Sequence, residues 1–133
     1  MFLNLLTPEQ QHAFCRAVLL IVKADEELHA REEQITTTIL REVGLDSYPS
    51  DAGTLDQLLD EIGGIRGEQA NTFLLELAGV ATADYETHPE ERRILEAVAQ
   101  RMEVPTERID AFIELAERLH RVSDDARTAI ASA

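Results

Sequence analysis

Two stretches decide the reading of this chain: ADEELHARE at residues 24–32 and ADYETHPEE at residues 83–91. Both are written A-D-x-E-x-H-x-x-E. Each follows an apolar run and precedes an amphipathic one. A turn that opens a helix fits that position, with its acidic residues near the positive end of the helix dipole.

The similarity extends beyond the phrase. An offset of 59 pairs Phe14 with Phe73, Asp25 with Asp84 and Ile35 with Ile94, then Ile39 with Val98, Val43 with Met102 and Leu45 with Val104. Each half therefore holds an apolar helix, an acidic turn and an amphipathic helix. The sequence predicts an internal duplication, with repeats at about 8–45 and 67–104 packed with approximate two-fold symmetry.

Local signals set the helices. Thr7, Pro8 and Gln10 make a helix start: cap, first-turn proline and capping-box partner. The helix they open runs to about Lys23 and is apolar on most sides, as a central buried helix is. A second is expected from about Ala30 to Val43, with Ile35, Ile39, Leu40 and Val43 on one face and Gly44 as terminator. LDSYPSDAG, residues 45–53, reads as a loop. Thr54 caps a short helix with Leu55, Leu58, Leu59 and Ile62 on one side, ended by Gly63 and Gly64. A fourth spans about Gly67 to Thr82. A fifth spans Pro89 to Met102, with Ile94, Leu95, Val98 and Met102 inward. A sixth carries Ile109, Phe112, Ile113, Ala116 and Leu119 inward, and Ser123 with Asp124 and Asp125 is placed to cap a last short helix. No segment alternates as a strand does. The expected fold is all-α, a bundle of about six or seven helices forming one domain over residues 1–133.

Composition narrows the function. The chain has 133 residues, 26 acidic against 12 basic, for a net charge of −14. Such a surface repels phosphate backbones, which argues against direct nucleic-acid binding, and favours cations and basic partners. Cys15 is the sole cysteine, so no internal disulfide is available and a reducing cytoplasm is compatible. The apolar opening MFLNLL lacks the basic start and cleavage site of a secretory signal. The longest apolar run contains Arg16 and Lys23 and is shorter than the about 20 residues of a membrane span. A soluble, cytoplasmic protein is expected.

In each copy of the phrase two acids, a histidine and a third acid follow one another closely: Asp25, Glu27, His29 and Glu32, then Asp84, Glu86, His88 and Glu91. Two readings fit. In the first, the acids cap and hold the turn, and Glu32 and Glu91 reach back to the cap residue's N–H. In the second, the carboxylates and the imidazole ligate a divalent ion. Zinc or manganese is favoured over calcium, because imidazole is not a calcium ligand and no twelve-residue EF-hand loop is present. Histidine is a poorer N-cap than Ser, Thr, Asp or Asn, so its presence in both copies keeps the second reading open.

His12 and His120 read as solvated surface. Cys15 reads as a small core residue, with no spacing that pairs it to a catalytic base. The serines lie outside any G-x-S-x-G turn, and no strand precedes Gly63, Gly64 and Gly67 to make a phosphate loop. The chain is expected to be non-catalytic. A metal-dependent hydrolase using His29 or His88 is the alternative that would make it an enzyme.

The paired phrases resemble the turns of the tellurite-resistance TerB family and its wider TerB-like relatives, over roughly residues 8–120. In that family an apolar helix ends in alanine and a D-G-x-I-x-x-x-E turn opens the next helix, twice. Here Ala24, Asp25, Glu27, Leu28 and Glu32 match in one copy, and Ala83, Asp84, Glu86 and Glu91 in the other. The departures are Glu26 and Tyr85 for the family's glycine, His29 and His88 for its Ser or Thr, and Thr87 for its aliphatic residue. On this pattern the chain is similar to a divergent member. The resemblance implies an all-helical, cytoplasmic, stress-linked and non-catalytic domain. It also implies divalent-metal binding by the acidic residues and a protein partner at the inner membrane face. The rival reading is an acidic interaction module that binds no metal.

Overall fold

The computed structural model describes residues 2–24, 53–83 and 87–132. Among these the regular structure is helical throughout: a 3-10 turn at Leu3–Leu5, then α1 (Pro8–Ala24), α2 (Leu55–Ile62), α3 (Gly67–Ala81), α4 (Pro89–Arg101) and α5 (Glu107–Ala131). The helix expected over about 30–43 and nearly all of the 45–53 loop lie outside the described residues, as do the first phrase beyond Ala24 and residues 84–86 of the second.

The helix starts follow the local chemistry. Thr7 Oγ1 accepts from the Gln10 N–H at 3.2 Å while Gln10 Oε1 accepts from the Thr7 N–H at 2.9 Å. Thr54 and Gln57 repeat the same box at the head of α2, at 3.2 and 3.0 Å. Each cap satisfies backbone donors that the first turn leaves open and contributes about 1 kcal/mol.

α3 is the hub. It packs against α1, α4, α5 and the 3-10 turn, while α2 lies on α1 and α4. The core between them holds Phe14, Val18 and Ile21 of α1, Leu58 and Ile62 of α2, Phe73, Leu74 and Leu77 of α3, and Leu95, Val98 and Met102 from α4 and its C-cap. At the crossing of α1 and α3 the Phe14 and Phe73 rings meet edge-to-face, their centroids 5.3 Å apart. On the same crossing Gln10 Nε2 donates to Gln69 Oε1 at 3.0 Å, again between residues 59 apart.

α4 ends through its backbone. Glu103 takes a left-handed φ of 58°. The Val104 N–H then reaches Ala99 O at 2.9 Å, and the Glu103 N–H reaches Gln100 O at 3.2 Å. This is a Schellman closure with a residue other than glycine at the left-handed position. The Glu103 carboxylate meets Arg66 Nε at 3.1 Å, and Arg66 in turn donates to the Gly63 and Ile65 carbonyls, both at 2.8 Å. Gly63 keeps a right-handed φ of −60°. A Cβ there would lie 2.7 Å from the Arg101 guanidinium, which donates to Leu59 O at 3.0 Å. Gly63 thus leaves room for Arg101 as well as ending the helix.

The last helix differs from the sequence reading in two ways. Ser123, Asp124 and Asp125 start nothing new: α5 runs unbroken from Glu107 to Ala131. A helix already nucleated propagates through Ser and Asp at small cost, so a cap-like triplet need not interrupt it. Second, Leu119 points away from the core and is 40% exposed, although Ile109 and Ala116 are buried as expected. α5 lies mainly on α3, so only a narrow stripe of it is covered. Beyond His120 every described residue of the helix is exposed except the half-exposed Asp124.

Candidate functional site

The second phrase joins α3 to α4, and its two ends are described. α3 closes on Thr82, which is fully buried; its hydroxyl donates to Ala78 O at 2.8 Å and its N–H reaches the same carbonyl at 3.0 Å. A buried threonine that bonds its own helix brings no free polar group to the turn. Ala83 is buried beside it.

His88 is the N-cap of α4 and Pro89 its first residue. Proline suits that place because its missing N–H and fixed φ cost nothing there. Glu91 Oε1 accepts from the His88 N–H at 3.1 Å, and the His88 side chain faces the Glu91 N–H to complete a capping box. Glu91 is only 3% exposed. A buried carboxylate needs charge-compensating donors, and the start of a helix supplies them. The Thr87 hydroxyl, next to the cap, is buried and has no hydrogen-bond partner among the described residues.

Of the eight candidate ligands, the structure therefore brings together His88 and Glu91. Asp25, Glu27, His29, Glu32, Asp84 and Glu86 lie outside the described residues. Among the described residues no group of three or more His, Cys, Asp and Glu side chains converges as a metal site. The geometry of His88 and Glu91 fits the capping role directly. A neutral imidazole has one ring lone pair, so facing the Glu91 N–H and ligating a metal would compete for it.

Among the described residues Cys15, His120 and Arg92 are held by packing or by bonds to neighbouring helices, whereas His12 lies at the surface. Cys15 is fully buried in α1, and burial pushes its thiol up to about 11. His120, read from sequence as solvated, is half-buried, and its Nε2 donates to Gly79 O at 2.7 Å. That carbonyl belongs to the last turn of α3, where helical partners run out. Sequence offered no sign of this, because the acceptor is backbone 41 residues away. His12 borders an open cleft of about 500 Å³ with Thr7, Glu9, Gln10, Glu61 and Ile65. Its Nδ1 lies 3.9 Å from Glu61 Oε1, and Arg16 lies 3.8 Å from the other oxygen. These are long contacts between partly exposed groups, worth little in stability. Arg92 ties α4 to α5 through Asp110 at 2.9 Å while holding Glu96 at 3.0 Å. The bond to Asp110 is the main cause of its guanidinium pKa being raised.

Taken together, the described residues form an all-helical packing whose polar side chains at the α3–α4 turn serve to close and open helices. Among them, no helix is long and apolar enough to cross a membrane. Comparison with family models, curated proteins and solved structures returned no match.

Proposed function

We propose that this chain is a non-catalytic helical interaction module with an acidic surface, built on a TerB-like duplicated plan. One observation carries the interaction reading: α5 runs on past the core that the described residues form. Its last three turns or so carry Val122 at 66% and Ile130 at 84% exposure, continuing from Leu115 and Leu119 at 42% and 40%. A helix this long gains little from its own core over that length, and an apolar row left in water is stabilised when a partner covers it. The non-catalytic reading is supported by the positions of Cys15, buried and hard to ionise, and His120, bound to backbone.

The duplicated plan is supported by contacts between residues paired by the offset. Phe14 with Phe73 and Gln10 with Gln69 meet at one crossing, as equivalent residues do near a two-fold axis. The offset also sets Gly44 against Glu103, the residue that takes the left-handed φ after α4. On this plan the helix expected over about 30–43, which lies outside the described residues, would be the sixth of the bundle. The family resemblance would place the protein in the cytoplasm, in a tellurite- or stress-response setting, with a protein partner at the inner membrane face.

A second reading keeps the divalent cation, zinc or manganese, at one or both turns. It is favoured by the buried Thr87 hydroxyl beside His88 and Glu91, which has no hydrogen-bond partner among the described residues. Calorimetric titration with zinc and manganese, comparing the wild type with the His29→Ala, His88→Ala double variant, tests it. Loss of binding in the double variant supports ligation. Identical curves for the two proteins leave the histidines as caps. The interaction reading is tested separately, by substituting Leu119 and Val122 with Asp. Folding is expected to persist with loss of association, and unchanged association would end that reading.

A further inference from the structure

The exposed row on α5 follows a seven-residue pattern. Phe112, Leu115, Leu119, Val122, Ala126 and Ala129 alternate by three and four, the spacing of a coiled-coil seam. Leu115, Leu119 and Val122 are exposed, as are Ala126 and Ala129, and Phe112 is half-covered. The face that packs on α3, with Ile109, Ile113, Ala116 and His120, lies roughly a third of a turn away. The seam is therefore a second face, open to solvent.

We propose that this seam pairs with the same seam of a second copy of the chain, antiparallel, about a two-fold axis near residues 120 and 121. The proposal rests on the interaction reading above and names its partner. Three features on the helix point to self-pairing. The first is volume. In that register Leu119 faces Val122 of the second copy, Leu115 faces Ala126 and Phe112 faces Ala129. Each larger side chain toward the bundle meets a smaller one toward the tail, as interdigitated packing requires. The second is charge. Arg118 flanks the seam opposite Asp125 of the second copy, and the two-fold axis makes that pair twice. The third is the acidic body. Each copy carries a net −14. A parallel pairing would set the two bodies side by side, whereas the antiparallel one sets them at opposite ends of the paired helices and lowers their repulsion. Each projecting tail then lies along the other copy's α5, which explains why the helix continues past its own core.

Sedimentation equilibrium on the full chain is the test, with circular dichroism to confirm that each variant folds. The wild type is expected to be a dimer at micromolar concentration. Leu119→Asp is expected to be a folded monomer. Arg118→Asp and Asp125→Arg are each expected to weaken the dimer by about tenfold, roughly 1.4 kcal/mol, and their combination is expected to restore it. Cysteine pairing fixes direction: a mixture of Leu115→Cys and Ala126→Cys chains should give the mixed disulfide in preference to either homodisulfide. A wild type that stays monomeric overturns the proposal, as does a dimer indifferent to Leu119→Asp or a preference for homodisulfides. A monomer whose binding to another protein is nevertheless lost in Leu119→Asp overturns self-pairing and leaves the interaction reading standing. Loss of neither association overturns both.

Discussion

Phe14 and Phe73 sit edge-to-face at 5.3 Å, both fully buried, where α1 crosses α3. The hydrogen atoms on the edge of one ring meet the negative face of the other, which is the favoured arrangement of two aromatic quadrupoles. Truncating either phenylalanine to alanine should cost about 3–5 kcal/mol by lost transfer and cavity formation. The double variant should cost less than the sum, because the ring–ring interaction of about 0.5–1.5 kcal/mol is counted in both single changes. Urea unfolding of the four proteins measures this, and strict additivity would show that the rings do not interact.

Cys15 predicts an alkaline limit to stability. Its thiol is raised from 9.0 to about 11 by burial. A raised acid is neutral in the fold and ionises more readily in the unfolded chain. The stabilisation relative to an ionisable reference is therefore complete below about pH 9 and is lost as pH rises through 11. Cys15→Ala should show a flatter fall in unfolding free energy between pH 9 and 11 than the wild type. The native thiol should also react slowly with a disulfide reagent at pH 8 and promptly in denaturant. Rapid native labelling would contradict the burial.

Glu103 holds a left-handed φ of 58°, which costs a residue with a Cβ about 1 kcal/mol relative to glycine. Its exposed ion pair with Arg66 returns a few tenths of that. Glu103→Gly should therefore raise the thermal midpoint slightly, by a few degrees. Glu103→Ala, which keeps the strain and loses the pair, should lower it. Calorimetry on the three proteins decides.

The Glu91 carboxylate accepts from the His88 N–H while almost wholly buried. Glu91→Ala leaves that donor without its partner and opens space beside it, for an expected loss of about 1–3 kcal/mol. Glu91→Gln keeps an acceptor oxygen and should lose less. An equal loss for the two would mean that charge, and not the cap bond, is what the helix start requires.

His120→Ala should remove the bond to Gly79 O at 2.7 Å, and with it about 1 kcal/mol of stability. Hydrogen exchange should show the last turn of α3 opening more often. Protection unchanged from the wild type would mean that the bond does not hold that turn.

Helix starts were legible in the chain because their chemistry is local. Thr7 with Gln10, Thr54 with Gln57, and His88, Pro89 and Glu91 each satisfy a first turn within four residues, and the structure uses all three. The all-helical character followed from apolar spacing that no strand could bury, and Phe14 and Phe73 were already aligned by the offset between the halves. The candidate site was legible only as a composition of ligand-type residues, since side chains that can ligate a metal can also sit at a helix start without one. Tertiary packing decided what spacing could not. It set Glu91 inside the protein with its carboxylate on the His88 N–H, and gave His120 a backbone acceptor on α3. It also left Leu119 exposed, because α5 touches a neighbour along one narrow stripe, and it carried the helix through Ser123 to Ala131. Local sequence specifies where a helix can begin and which faces are apolar; which apolar face is covered depends on the neighbours that the rest of the chain brings to it.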